Sequence, residues 1–288
     1  MRLLKTRAKR PVRWNSVRRS FCTGLLVTGA SLAGFSNSAD AQVTLGFDRV
    51  AEARALNTEV VRQPDLWMME CQIKPVRMIW VDKKDPETGE IQKEEVWYLA
   101  WRAIRRPLSG RTEEDADPVN DLDPLPGPRK FVPQFTLITY DNPNSEIPTQ
   151  ILPDEIIPEA LKKIQKIERK GTYLNSVDVV QDVPDPTAAD AETQKWIWGV
   201  ATWRGVDPDT DFFKILINGC TNGYEVRTAA DGSRQVWRKV VELKFYRPGD
   251  RFDPNLKEFQ YASEARWVMQ PDSGNPTSSD VTLGQIQP

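Results

Sequence analysis

Short apolar runs rich in aromatic residues recur along this chain, and nearly all are closed by proline, glycine or aspartate. WMMECQIKPVRMIWV (67–81), EEVWYLAWRAI (94–104), KFVPQFTLITY (130–140), KWIWGVATWRG (195–205) and EFQYASEARWVMQ (258–270) are of this kind. Aromatic and β-branched residues at alternating positions between turn-forming residues predict strands. In 94–104 both alternating sets are apolar, Val96, Tyr98 and Ala100 against Trp97, Leu99 and Trp101. That pattern belongs to a strand covered on both faces. Lys74-Pro75 predicts one bent strand or two short ones, with Pro75 at an edge or bulge. Asp85-Pro86 with Thr88-Gly89 predicts one hairpin, and Asp231-Gly232 another within 224–246.

One segment, 154–170, has helical periodicity. Ile157, Leu161, Ile164 and Ile167 share a face, with Lys162, Lys163, Lys166, Arg169 and Lys170 mostly opposite. Asp154 suits the start, Pro158 the first turn and Gly171 the position after the end. The expected fold is therefore mainly β, with immunoglobulin-like β-sandwich architecture and one amphipathic helix lying on a sheet. Two lobes, 42–153 and 172–270, would flank the connecting helix (154–171), with a flexible tail at 271–288; a single larger sandwich is the alternative. QKEEVWYLAWRAI (92–104) aligns without gaps to QKWIWGVATWRGV (194–206), as duplicated lobes would.

The ends set an address. Residues 1–20 carry eight basic side chains and no acid; a short apolar stretch follows, then Ala39-Asp40-Ala41. This is the pattern of a cleaved signal peptide over 1–41, too short to span a bilayer. Arg18-Arg19-Ser20-Phe21 fits a twin-arginine signal and the basic head equally fits the Sec route, so the expected location is periplasmic or extracellular. The whole chain has 39 basic and 41 acidic residues; removing 1–41 takes away eight basic residues and Asp40, leaving 31 against 40. A mature chain of net charge −9 argues against nucleic acid and anionic lipid as partners. An envelope protein or polysaccharide fits better.

The chain contains no histidine. That excludes His-based triads and His-ligated zinc, and it leaves any acid–base chemistry to carboxylates, lysine or tyrosine. Glu94-Glu95 and Glu264 are the carboxylates a glycosidase reading would nominate. Asp207, Asp209 and Asp211 alternate as at the start of a calcium loop. Phe212 and Asn218 stand where an EF-hand needs glycine and glutamate, so a turn entering a strand fits better than a metal site. The acidic loop with Glu113, Glu114, Asp115, Asp117, Asp121 and Asp123 lacks calcium-repeat glycine spacing and reads as a solvated surface. Nine tryptophans follow residue 41. Spaced by two in strands they fill the gap between sheets; exposed, they would stack on sugars. Cys71 and Cys220 are a possible disulfide in an oxidising compartment, or two separate buried thiols. No cofactor motif and no catalytic set is present.

The runs WMMECQIKPVRMIWVD, VWYLAWRAI, FVPQFTLIT, GVATWRGVDPDTDFFKILINGCTNGYEV and RKVVELKFYRPGDRF resemble exported proteins typical of planctomycete bacteria. The resemblance implies an envelope location and carries no functional residues. VWYLAWRAI followed by FVPQFTLIT is also similar to immunoglobulin-like extracellular modules, with Arg105-Arg106 where those carry asparagine. The expected function is an exported, non-enzymatic binding or structural module of the cell envelope. A carboxylate-based hydrolase or glycan-binding protein is the alternative, and a calcium-assisted adhesion module a further one.

Overall fold

The computed structural model describes residues 46–108, 129–169, 171–228, 232, 234–249 and 258–272. The expected leader, the acidic loop from 109 to 128, Asp231 and the tail beyond 272 lie outside the described residues.

The elements run β1 (Arg49–Ala51), α1 (Asn57–Arg62), β2 (Met69–Ile73), β3 (Arg77–Lys84), β4 (Ile91–Arg105) and β5 (Lys130–Phe131). Next come β6 (Gln134–Tyr140), β7 (Gln150–Pro153), α2 (Pro158–Glu168), β8 (Gln181–Asp182) and β9 (Ile197–Arg204). The last are β10 (Phe212–Asn218), β11 (Tyr224–Thr228), β12 (Arg234–Tyr246), β13 (Gln260–Tyr261) and β14 (Arg266–Pro271). The fold is mainly β, as the alternating apolar runs predict, and its strand pairs are antiparallel.

Two sheets share one construction. In sheet 1, β2 and β3 pair end to end with one edge of the 15-residue β4, and β9 pairs with the other edge. Pro75 falls between β2 and β3, where its missing N–H costs the ladder nothing. In sheet 2, β11 and β10 pair end to end with one edge of the 13-residue β12, while β14 and β13 take its other edge. β6 and β7 extend that sheet beyond β10. The β3–β4 turn closes as its sequence predicts: the Asp85 carboxylate accepts from the Glu87 and Thr88 N–H groups, and Gly89 takes φ 74°.

The main core lies between the sheets. Met69, Cys71, Trp97, Trp101 and Trp203 from sheet 1 meet Phe135, Leu137, Phe213, Ile215 and Leu243 from sheet 2. Trp67, Trp97, Trp101 and Trp203 are buried, so these tryptophans fill the sandwich, whereas Trp80 is 54% exposed. On the outer face of sheet 1, Ile157 at the cap position and Ala160 and Ile164 of α2 pack on Ile79, Val96, Tyr98 and Val200. Both faces of β4 are thus covered, as its two apolar sets require.

Three sequence expectations need correcting. β9 lies beyond α2 yet joins sheet 1, while β6 and β7 precede α2 yet join sheet 2, so the boundary at 153/154 does not divide the sheets. The aligned segments 92–104 and 194–206 are antiparallel neighbours, Trp97 opposite Trp203, rather than equivalent strands of two lobes. Asp154 does not cap α2; Ile157 stands at the cap position without a side-chain bond. The Asp154 carboxylate instead accepts from the Ser176 hydroxyl and the Phe135 N–H. α1 is an addition, closed at its start by the Leu56 N–H donating to Glu59 (2.7 Å).

Candidate functional site

The outer face of sheet 2 holds a cleft of about 910 Å3. Alternation along the strands builds it: in β10, Phe213, Ile215 and Ile217 point into the core, leaving Phe212, Lys214 and Leu216 on the opposite face. Ile138 and Tyr140 of β6 and Arg238, Val240 and Lys244 of β12 line the same cleft. The register sets Lys214 between Ile138 and Lys244.

Lys214 is the chemical centre of this face. Its ammonium lies 3.8 Å from Glu242 Oε2, beyond good hydrogen-bond length, and 5.5 Å from the centre of the Tyr140 ring. Glu242 is buried, and its other oxygen accepts from Arg266 Nε (2.8 Å) and Nη2 (2.5 Å). Burial lowers the Lys214 ammonium below the usual lysine range, opposed by the Glu242 carboxylate. Burial, and then the same carboxylate, hold the Tyr140 phenol above its ordinary range. The face therefore offers an ammonium donor beside a ring, over apolar side chains. That arrangement suits a ligand with an apolar face and an acceptor oxygen.

The residues singled out in sequence lie elsewhere. Asp207 Oδ1 accepts from the Asp209 N–H (2.9 Å), and Asp211 pairs with Arg247 Nε (3.3 Å). Arg247 is buried, and its Nη2 donates to the Pro208 and Thr210 carbonyls at 3.0 and 3.1 Å. These aspartates make a turn that an arginine closes. Among the described residues, no group of three or more Cys, Asp or Glu side chains is gathered around a point that could hold a metal ion. Glu94 bonds Lys83 (2.7 Å), Glu95 accepts from the Trp97 indole (2.8 Å), and Glu264 pairs with Arg49 (3.3 Å). Cys71 and Cys220 do come together: both are buried free thiols that influence each other, and the Cys71 thiol donates to the Met69 carbonyl (3.8 Å).

The cleft residues were missed in the sequence. Their signal was Lys214, the one charge inside the run Phe212–Ile217. No protein-family model, curated protein or solved structure matches the chain. Among the described residues no helix is long and apolar enough to cross a membrane.

Proposed function

We propose that the chain is an exported, non-enzymatic binding module of the bacterial cell envelope, with the sheet 2 cleft as its ligand site. The supporting observation is that cleft: apolar side chains from three strands flank the Lys214 ammonium, whose nearest carboxylate, Glu242, stands 3.8 Å away and is already bonded by Arg266. α2 covers the outer face of sheet 1, so sheet 2 supplies the broad face for a ligand. The Tyr140 ring and the Lys214 ammonium suit a polysaccharide carrying carboxylates. The basic head and the small residues at 39 and 41 supply the export part of the reading. The carboxylates nominated for hydrolysis are each held by a cation or an indole, which favours binding over glycoside cleavage.

The test is cosedimentation of the purified protein with insoluble peptidoglycan sacculi, comparing wild type with Lys214→Met and Tyr140→Ala. Binding by wild type, reduced at least about tenfold in both variants, supports the proposal. Equal sedimentation of all three, or none by wild type, overturns it. N-terminal sequencing after expression with the native leader tests export separately, by whether the chain begins at Gln42.

A further inference from the structure

The chain leaves β10 through Gly219 and crosses to sheet 1, where Thr221 bridges Met68 in antiparallel fashion. The Met69 N–H donates to the Cys220 carbonyl (2.8 Å), the Thr221 hydroxyl to the Trp67 carbonyl (2.6 Å) and the Trp67 N–H to Asn222 Oδ1 (2.8 Å). Cys220 therefore stands opposite Met69, and Cys71, two residues further along β2, is its diagonal neighbour. Diagonal neighbours across antiparallel chains stand roughly 7–8 Å apart, somewhat less between Cβ atoms, so a small local approach is needed to reach the Cβ separation of about 4 Å that a disulfide spans. Both side chains belong to the core between the sheets, 2% and 1% exposed.

We propose that Cys71 and Cys220 form an inter-sheet disulfide when the folding chain meets an oxidant of the disulfide class. One cysteine thiolate attacks a sulfur of the oxidant, making a mixed disulfide and expelling one thiolate. The second cysteine, after losing its proton, attacks the protein sulfur of that mixed disulfide and expels the other. Two thiols are oxidised by two electrons, the oxidant disulfide becomes two thiols, and the two protons pass to the departing sulfurs. The neighbouring Cys220 thiol and burial both push the Cys71 thiol well above its usual range, so the buried pair is a poor nucleophile in the finished fold. Exchange belongs to the stage before the 219–222 crossover closes. The bond would tie β2 of sheet 1 to the end of β10 in sheet 2, closing a long loop of chain. It rests on the fold alone; export would supply the oxidant but is not required for the test.

The experiment refolds the full chain from denaturant with and without oxidised glutathione, then counts thiols by maleimide labelling under denaturing conditions. Cys22 is the third cysteine and serves as an internal reference. The proposal expects three labelled thiols without oxidant and one, Cys22, with it. In a Cys22→Ala chain the count falls from two to none. The oxidised protein should melt higher by roughly 10 °C, and reductant should abolish the difference. Three labelled thiols after oxidative refolding, a bond involving Cys22, or disulfide-linked dimers would each overturn it. A Cys71→Ala/Cys220→Ala chain should show no oxidant-dependent melting shift; if that variant does not fold, the thiol count in the wild-type chain still decides.

Discussion

Lys74 Nζ lies 2.6 Å from Glu168 Oε2, and the two side chains are only 2% and 1% exposed. Arg77 donates to the other oxygen of the same carboxylate, and the Tyr98 hydroxyl donates to that oxygen at 3.0 Å. Arg77 also holds Glu258 (3.1 Å), so two cations, two acids and a phenol fix the C-terminal end of α2 to sheet 1. Charges taken out of water this far are retained only when each is met by another.

Removing the shared acid leaves two buried cations facing each other. Glu168→Gln should lower stability by about 3–5 kcal/mol, the cost of breaking a buried ion pair on one side. Denaturant titration followed by tryptophan fluorescence measures this, and a loss below about 1 kcal/mol would mean that Glu258 alone satisfies the cluster.

Gly219 tests the crossover. It adopts φ 77°, and a Cβ built there would lie 1.9 Å from the Val132 carbonyl oxygen. That obstacle is backbone, which cannot swing aside as a long side chain can. Gly219→Ala should therefore cost about 1–3 kcal/mol or more, whereas alanine at Gly205, φ 68° with nothing near its Cβ, meets only the conformational part. Comparing the two melting curves separates strain from collision.

Lys214 gives a pH dependence of defined sign. Its folded-state ammonium is held below the usual lysine range by burial. Between that lowered value and the ordinary one near 10.4, the unfolded chain binds more protons than the folded chain, so stability rises with pH across this window. Below it, the cost of burying the charge is present in full. Lys214→Met should thus melt higher than wild type at neutral pH, and the gap should shrink as pH approaches about 10. The same variant is expected to lose sacculus binding, so stability and binding move in opposite directions.

The turn at 207–211 should depend on Arg247 rather than on a cation. Arg247→Ala removes the bonds to two carbonyls and Asp211, and should cost about 2–4 kcal/mol with faster amide exchange through the turn. EDTA and added calcium should leave the melting curve where it stands; a calcium-dependent rise would restore the metal reading of Asp207, Asp209 and Asp211.

Strand positions were legible because alternation and turn chemistry are local. Asp85 and Gly89 shape the hairpin that their order predicts, and Ile157, Leu161, Ile164 and Ile167 fall on the packed face of α2. Strand partners were not legible, since nothing within β9 states that its neighbour is β4, about a hundred residues earlier. Glu168 was missed for a related reason. It follows a solvated run of lysines on a surface helix, and its partners Lys74 and Arg77 lie in another segment of the chain. The thiol pair sat between these cases: two cysteines invited the question, and only the Met68–Thr221 bridge made them diagonal neighbours. Lys214 shows the same limit at the cleft, because a lysine in an apolar run signals a departure without naming what surrounds it.

The interleaving of the two sheets governs the order in which this chain can become a protein. During synthesis β6 and β7 emerge well before β10, the strand that pairs with β6, and β4 emerges well before β9. Each sheet's core face stays open until residues past 197 have been made. Such distant pairings close slowly, because the loop entropy is lost before the contacts that reward it. A nascent chain cut at the connecting helix would carry two unfinished sheets and their tryptophans exposed to water. The fold is a late event, and whatever receives this chain from the ribosome receives it open.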